Sequence, residues 1–148
     1  MKIRDLMSYN ATRILSGATM RQAADLVSTT GVSDLMVVDE DNSFVGVLSE
    51  GDLIRAVMPN FHELMRDGMS LRDAFDEFVE NGKEMAVRPI DELVISGDKL
   101  VKFRPDDDVL KAAGTMVAKQ IRRLPVTDLG GKLVGTISRA DVCKGILS

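Results

Sequence analysis

The apolar positions along the chain follow one pattern twice. Apolar residues recur at intervals of three and four over 20–27 and again over 109–117. This spacing places them on one face of a helix, so it predicts two amphipathic helices. A short extended stretch precedes each helix, over 12–15 and over 100–103.

Two short runs rich in branched and apolar residues follow each helix. The paired runs are 35–39 with 44–48, and 124–128 with 133–137. The segments that join each pair are short and polar, which predicts two β-hairpins. A further helix is predicted to begin at Ser49 in the first copy and at Ser138 in the second.

These two patterns belong to one duplicated unit. Residues 35–52 (LMVVDEDNSFVGVLSEGD) and 124–141 (LPVTDLGGKLVGTISRAD) align without a gap, with seven of 18 positions identical. The unit has the order β-α-β-β-α, which predicts an α/β (α+β) fold built from two repeats. The first repeat is assigned to 1–56 and the second to 90–148, with a helical insert or linker at 57–89 between them.

The insert is not a featureless linker. Ser70 can cap a helix there, and Gly82 is predicted to end it. A helix of this kind carries an apolar face that must be buried, either on its own repeat or on a partner chain.

Composition narrows the possible functions. A net charge of −4 and a pI near 5.0 argue against a nucleic-acid binder and against an anionic membrane surface as partner. No apolar run is long enough for a membrane helix and no secretory signal is present, so a cytoplasmic location is expected. One histidine and one cysteine leave little material for a metal site or a catalytic triad. No nucleophile has an obvious base beside it, and we therefore expect no enzymatic activity, no metal and no cofactor.

Each copy ends in the motif hydrophobic-Gly-x-x-Ser-x-x-Asp, and the second also carries Leu-Pro-Val-x-Asp. The chain therefore resembles a tandem CBS-domain pair, also called a Bateman module, of the stand-alone kind. The resemblance implies two repeats packed with pseudo-two-fold symmetry around two clefts. Such clefts commonly bind AMP, ADP, ATP or related adenosyl compounds, and such pairs are often homodimers that regulate another protein.

The motif serines and aspartates are the first predicted ligand-binding residues. A serine that opens a helix lies beside free backbone N–H groups, where an anion can bind. An aspartate one turn later can accept hydrogen bonds from two ribose hydroxyls. These positions are Ser49 and Asp52 in the first copy, and Ser138 and Asp141 in the second. The alternative is a capping box, which needs no ligand.

The phosphates of a nucleotide also need cations, and these are unequally distributed. The second copy offers Lys102, Arg122, Arg123 and Arg139, whereas the first offers Arg13. Arginine binds phosphate with two parallel donors. We therefore expect the second repeat's cleft to bind the more anionic ligand; for these arginines, simple exposure to solvent is the alternative.

The resemblance places the adenine base near the first strand and the hairpin. The positions that match are Thr12, Met36, Phe103 and Pro125, for which core packing is the alternative. Two functions follow. The first is a non-catalytic sensor of adenine nucleotides or adenosyl compounds. The second is a ligand-free interaction or dimerisation module that uses the insert helices.

Overall fold

The computed structural model describes residues 1–96 and 100–148. The first repeat forms a three-stranded sheet in which β2 is parallel to β1 and antiparallel to β3. Its elements are β1 (Arg13–Leu15), α1 (Met20–Thr30), β2 (Asp34–Val38), β3 (Phe44–Ser49) and α2 (Glu50–Val57). The predicted β-α-β-β-α order is present in this repeat.

The local sequence accounts for where these elements begin and end. Thr19 and Gln22 form a capping box at the start of α1, which ends where Gly31 adopts φ 71°. The side chains of Leu35, Met36 and Val37 are fully buried along β2. Such burial on both faces is expected of the central strand of a sheet that is covered on both sides.

Within 90–96 and 100–148, the described part of the second repeat, the same elements are present except for the first strand. They are α5 (Val109–Lys119), β4 (Arg123–Thr127), β5 (Leu133–Ser138) and α6 (Arg139–Leu147). The predicted extended stretch at 100–103 forms only a single parallel bridge, between Phe103 and Val126.

Proline explains the missing strand. In the first repeat, the N–H of Met36 donates to the carbonyl of Thr12 over 3.1 Å and joins the first strand to the second. The residue equivalent to Met36 is Pro125, which has no N–H, and the carbonyl equivalent to that of Thr12 belongs to Val101. The corresponding hydrogen bond cannot form.

The segment that leads into each repeat packs on the other repeat. These segments contain short 3-10 helices at Ile3–Asp5 and Ile90–Glu92. Ile3 is fully buried in the core of the second repeat, and Ile90 is fully buried in the core of the first. Each hydrophobic core is therefore built from one repeat together with the segment that leads into the other repeat.

The motif glycines make this crossing possible. A Cβ atom on Gly46 would lie 2.5 Å from Val94 Cγ1 and even closer to the Ile95 carbonyl. A Cβ on Gly135 would meet Met7 and Ser8 in the same way. The crossing segment thus runs against the bare backbone of β3 or β5, which explains why the motif has glycine at this position.

The two hairpins join the repeats. The N–H of Phe44 donates to Gly131 O over 2.9 Å, and the N–H of Leu133 donates to Asn42 O over 3.0 Å. Leu133 also shares a buried cluster with Met36 and Val38 of β2. Equivalent turns from the two repeats therefore meet, as the predicted pseudo-two-fold arrangement requires.

The insert forms α3 (Phe61–Arg66) and α4 (Leu71–Ala86). Ser70 caps α4 as predicted, but the prediction that Gly82 ends this helix is wrong, because α4 continues to Ala86. Met85, beyond the glycine, packs against the first repeat's core, so burial of this last turn holds it in the helix. α4 lies on α2 and α1 and covers the helical face of the first repeat.

Candidate functional site

One cleft between the repeats joins the first repeat's motif to the second repeat's cations. It is a cavity of about 500 Å³, within the range of small-ligand pockets. Five of the predicted site residues line it: Ser49, Asp52, Arg122, Arg123 and Pro125. We call this space the inter-repeat cavity.

Ser49 and Asp52 form the wall at the start of α2. The Ser49 hydroxyl accepts a hydrogen bond from Asp52 N over 3.1 Å, and Asp52 Oδ2 accepts one from Ser49 N over 2.9 Å. This is the capping box that was the alternative to a ligand site. Asp52 Oδ1 meets Arg55 Nη2 at 2.5 Å, but a carboxylate oxygen can accept further donors.

Arg122 and Arg123 form the opposite wall. Arg122 Nε lies 3.8 Å from Asp34 Oδ2, an ion pair that connects the two repeats. Arg123 is half-buried, and its Nη1 donates to Thr136 Oγ1 over 3.0 Å. The sequence-based assignment of these arginines to the second repeat's cleft therefore differs from the structure. Because of the pseudo-two-fold packing, the start of β4 faces the motif of the opposite repeat.

The charges around the inter-repeat cavity favour an anion. Among the residues that the structure describes, four basic side chains line it, against two acidic ones. The basic residues are Arg55, Lys119, Arg122 and Arg123, and the acidic residues are Asp34 and Asp52. A partly enclosed site strengthens the attraction of such a surplus for phosphate relative to open water.

The proline also changes the backbone hydrogen bonding beside this space. Both Val101 and Pro125 line the cavity, and proline donates no hydrogen bond to the Val101 carbonyl. In the first repeat the equivalent carbonyl, that of Thr12, is occupied by the N–H of Met36. The Val101 carbonyl therefore does not make the hydrogen bond to β4 that its counterpart makes to β2.

The second motif also closes its own helix. Asp141 Oδ2 accepts from Ser138 N over 2.8 Å, and Ser138 Oγ accepts from Asp141 N over 3.1 Å. A separate hollow of about 480 Å³ lies beside Asp141, with Asp5 and Lys144 among its walls. It contains none of the arginines that were assigned to it from sequence.

Arg139 lies away from both spaces. Its Nε donates to Ile121 O over 3.0 Å and its Nη2 to Met116 O over 3.3 Å. Met116 lies in the last turn of α5 and Ile121 just beyond it, so Arg139 links the start of α6 to the end of α5. The Arg139 side chain also lines the groove between α5 and α6.

The remaining predicted site residues do not line the inter-repeat cavity. Met36 and Phe103 are buried in the core, which was the alternative stated for them. Arg13 Nη1 donates to Asn42 Oδ1 over 2.6 Å, the Thr12 carbonyl joins the β1–β2 ladder, and Lys102 is exposed.

Sequence reasoning missed several cavity residues. Arg55 follows the motif aspartate by three positions, as Lys144 does in the second copy, and this repeated base was a usable signal. Asp34 faces Arg122 only through the packing of the repeats, so no local pattern could have found it. Lys119 ends α5, where a base is also expected for helix stability alone.

The chain belongs to the CBS-domain family. The family model for the CBS domain matches residues 3–59 and 91–148, so the chain is a tandem CBS pair. The CBS domain-containing protein CBSX2 of Arabidopsis thaliana is 28% identical over 130 residues, covering 84% of this chain and 54% of that protein. An uncharacterized Methanocaldococcus jannaschii protein, MJ1426, is 25% identical over 126 residues and is matched over 74% of its length. The chain spans much less of other relatives, such as 41% of MJ1225 and 15% of the chloride channel protein CLC-f.

Solved structures share the fold. CBSX2 of Arabidopsis thaliana superposes with a TM-score of 0.79 at 22% identity, over 99% of this chain and 94% of that one. CBSX2 has also been solved in complex with AMP, with a TM-score of 0.75 at 24% identity over 99% and 96%. The CBS pair of MJ0100, in complex with 5′-methylthioadenosine and S-adenosyl-L-methionine, has a TM-score of 0.68 at 17% identity over 97% and 94%. Within the described residues, no helix is long and apolar enough to cross a membrane.

Proposed function

We propose that this chain is a non-catalytic sensor that binds a phosphorylated adenine nucleotide in the inter-repeat cavity and functions as a homodimer. The observation that carries the proposal is the meeting of Asp52 with Arg122 and Arg123 across one space of about 500 Å³. The AMP complex of CBSX2 and the adenosyl complexes of MJ0100 support this ligand class.

Each part of a nucleotide has a partner in this proposal. The phosphate interacts with Arg122 and Arg123, because charge-assisted hydrogen bonds to guanidinium are strong and bidentate. Asp52 Oδ1 accepts the ribose hydroxyls beside its contact with Arg55. The Val101 carbonyl accepts the adenine amino group. Uncharged adenosyl compounds would use the last two contacts only.

The ion pair between Arg122 and Asp34 offers a route from binding to regulation. A phosphate competes with Asp34 for the Arg122 guanidinium and so weakens a contact between the repeats. Binding can then shift the relative position of the repeats, by no more than the ligand's difference in affinity for the two arrangements.

Calorimetric titration with AMP, ADP, ATP, adenosine and S-adenosylmethionine tests the site. Arg123→Gln should lower the affinity for AMP about tenfold or more, which corresponds to the loss of a charge-assisted hydrogen bond. It should leave the affinity for adenosine unchanged. Lys111→Gln is the matched control, since Lys111 is exposed on α5 and does not line the cavity. Equal losses for AMP and adenosine would remove Arg123 from phosphate binding.

Two further variants test the ribose and base contacts. Asp52→Asn should weaken AMP and adenosine alike, because both carry the ribose. Pro125→Met restores the first repeat's residue and its N–H donor, which engages the Val101 carbonyl. It should therefore weaken every adenine compound. If Pro125→Met leaves the affinity for the adenine compounds unchanged, the Val101 carbonyl does not bind the adenine base.

The second function is the ligand-free interaction module that uses the insert helices. The exposed apolar side chains of α4 favour it. Thermal melting discriminates, because a ligand at one hundred times its Kd stabilises the folded state by about 2.7 kcal/mol. If no compound in the adenosine panel raises the Tm of the wild-type protein, the sensor proposal is wrong and the interaction module remains.

A further inference from the structure

Asp34 is an acidic residue in the wall of a cavity whose other charges favour an anion. It lies at the start of β2, opposite Ser49 of β3, and it lines the inter-repeat cavity. Only 14% of its side chain is exposed, so solvent and salt screen its charge poorly. The residue at the equivalent position of the second repeat is Arg123, so the charge at this position is reversed between the two copies.

The stability of the fold gives little reason for this acid. The Asp34 Oδ2 atom accepts a hydrogen bond from the Ser33 hydroxyl over 3.1 Å, and Arg122 Nε lies 3.8 Å from the same oxygen. This ion pair is longer than a charge-assisted hydrogen bond, and 55% of the Arg122 side chain is exposed. An ion pair of this kind contributes little to the free energy of unfolding.

The carboxylate lies where it would interact with a bound phosphate. A phosphate bound by the Arg122 guanidinium must come close to Asp34, because both anions then contact one planar group. Like charges at such a separation repel each other, and the repulsion is stronger in a partly enclosed cavity than in open water. The Asp34 charge therefore opposes each negative charge that a ligand brings to this wall.

The charge balance of the cavity fits a single phosphate group. Within the described part of the chain, four basic side chains against two acidic ones leave a surplus of two positive charges. A nucleoside monophosphate carries about two negative charges at neutral pH, and each further phosphate adds about one more. A diphosphate or triphosphate therefore exceeds the surplus, and its additional charge is repelled by Asp34.

We propose that Asp34 is the specificity-determining residue of the inter-repeat cavity, and that its negative charge selects a nucleoside monophosphate over a diphosphate or triphosphate. This inference rests on the nucleotide site proposed above and narrows its ligand by charge. Asp34 acts through its charge and not through its size. Removing that charge raises the positive surplus of the cavity and should admit the longer phosphate chains.

Calorimetric titration of wild type and Asp34→Asn with adenosine, AMP, ADP and ATP tests the proposal. EDTA is present, so that no divalent cation masks the phosphate charges. Wild type should bind AMP at least tenfold more tightly than ATP. Asp34→Asn keeps the size of the side chain and removes its charge. Its ATP affinity should rise at least tenfold relative to its AMP affinity, with ADP between the two and adenosine unchanged. An equal ratio of ATP to AMP affinity in both proteins would overturn the proposal.

Two further variants isolate the effect of charge at this position. Asp25→Asn is the matched control, since Asp25 is exposed on α1 and does not line the cavity. It should leave the ratio of ATP to AMP affinity unchanged; a shift as large as that in Asp34→Asn would assign the selection to the net charge of the chain and contradict the role of Asp34. Asp34→Ser removes the same charge with a smaller side chain, so it should shift the ratio as Asp34→Asn does. A shift in only one of the two neutral variants would assign the selection to side-chain shape instead.

The wild-type titrations separate this inference from the proposed site. If none of the four compounds binds, the nucleotide site and the selection by Asp34 are both wrong. If wild type binds AMP and ATP equally well, or prefers ATP, only the selection by Asp34 is wrong and the nucleotide site remains.

Discussion

The two repeats share a sequence pattern but differ at the positions that face their clefts. Where the first repeat has Met36, with an N–H that closes its sheet, the second has Pro125, which donates nothing. Where the first has Asp34, the second has Arg123. The inter-repeat cavity consequently combines both carboxylates and one cation of the first copy with three cations of the second.

The two repeats also differ in how they bind the segment that leads into the opposite repeat, which contains Ile3–Asp5 or Ile90–Glu92. Asp91 accepts hydrogen bonds from the Ser16 hydroxyl and, over 2.7 Å, from Gly17 N on the first repeat. On the second repeat the polarity is reversed, because Arg4 pairs with the Asp106 carboxylate. Duplication thus preserves the backbone path, while single substitutions decide which partner donates and which accepts. Three changes test this comparison.

The largest effect is expected from the buried isoleucines of the crossing segments. Ile3→Ala and Ile90→Ala should each lower the free energy of unfolding by about 2–5 kcal/mol, through lost burial and the cavity left behind. Because the segments cross, Ile3→Ala should loosen α5, β4 and β5, and Ile90→Ala should loosen α1, β2 and β3. Urea denaturation measures the total, and hydrogen exchange locates it. Loss of protection in the repeat that follows each segment in sequence would contradict the crossed packing.

The motif glycine should give the next largest effect. Gly46→Ala places a methyl group against Val94 and the Ile95 carbonyl, and overpacking of this kind costs about 1–3 kcal/mol. Gly82→Ala is the matched control, since a Cβ there meets nothing within 4 Å inside α4. It should stabilise the chain by about 1 kcal/mol, the difference in helix propensity. If urea denaturation shows the same change in the free energy of unfolding for both variants, the close approach of Val94 and Ile95 to Gly46 does not explain the glycine.

The smallest effect concerns the Asp91 contact and depends on pH. The hydrogen bond from the Ser16 hydroxyl holds the pKa of Asp91 below its ordinary value of 3.8, and the N–H of Gly17 acts in the same direction. The unfolded chain therefore binds the proton more readily, so this stabilisation is present above the ordinary pKa and is lost as the pH falls through the folded-state pKa. Asp91→Asn should lower the free energy of unfolding by about 1 kcal/mol or less at pH 7, since the group is exposed. The difference in stability between wild type and this variant should shrink in acid.

Denaturation at pH 7 and near pH 3 checks the pH dependence. Asp25→Asn, at an exposed position on α1, is the matched control for removal of one carboxylate. If the difference in the free energy of unfolding between wild type and Asp91→Asn stays constant with pH, the negative charge of Asp91 does not contribute to the contact with Ser16 and Gly17.

Much of the fold followed from local pattern. The helices, the hairpins and the caps at Ser49, Ser70 and Ser138 agree with the spacing of apolar residues and with the polar residues at the helix starts. The extended stretch predicted at 100–103 forms a single bridge instead of a strand, and α4 ends at Ala86 instead of at Gly82. In both cases a neighbour in space decided the outcome: Pro125 for the strand, and the first repeat's core beneath Met85 for the helix.

The candidate site was predicted less completely, because it lies between the copies. The motif named Ser49 and Asp52, and the cation surplus named Arg122 and Arg123, but the sequence placed these pairs in separate clefts. Arg139 carries the same charge as Arg123, yet it satisfies the end of α5 instead. No pattern along the chain distinguishes the two arginines, since the difference depends on the neighbour of each one: β5 beside Arg123 and the end of α5 beside Arg139.

The sequence alone determined that a β-α-β-β-α unit occurs twice, because secondary structure and helix caps depend on residues within a few positions of one another. Only the tertiary structure decided that each lead-in segment belongs to the opposite core and that the cations face Asp52. These outcomes depend on contacts between residues far apart in the chain, which a local pattern does not encode. The same holds for the exposed apolar side chains of α4: the sequence predicted the helix, and only packing left that particular face exposed.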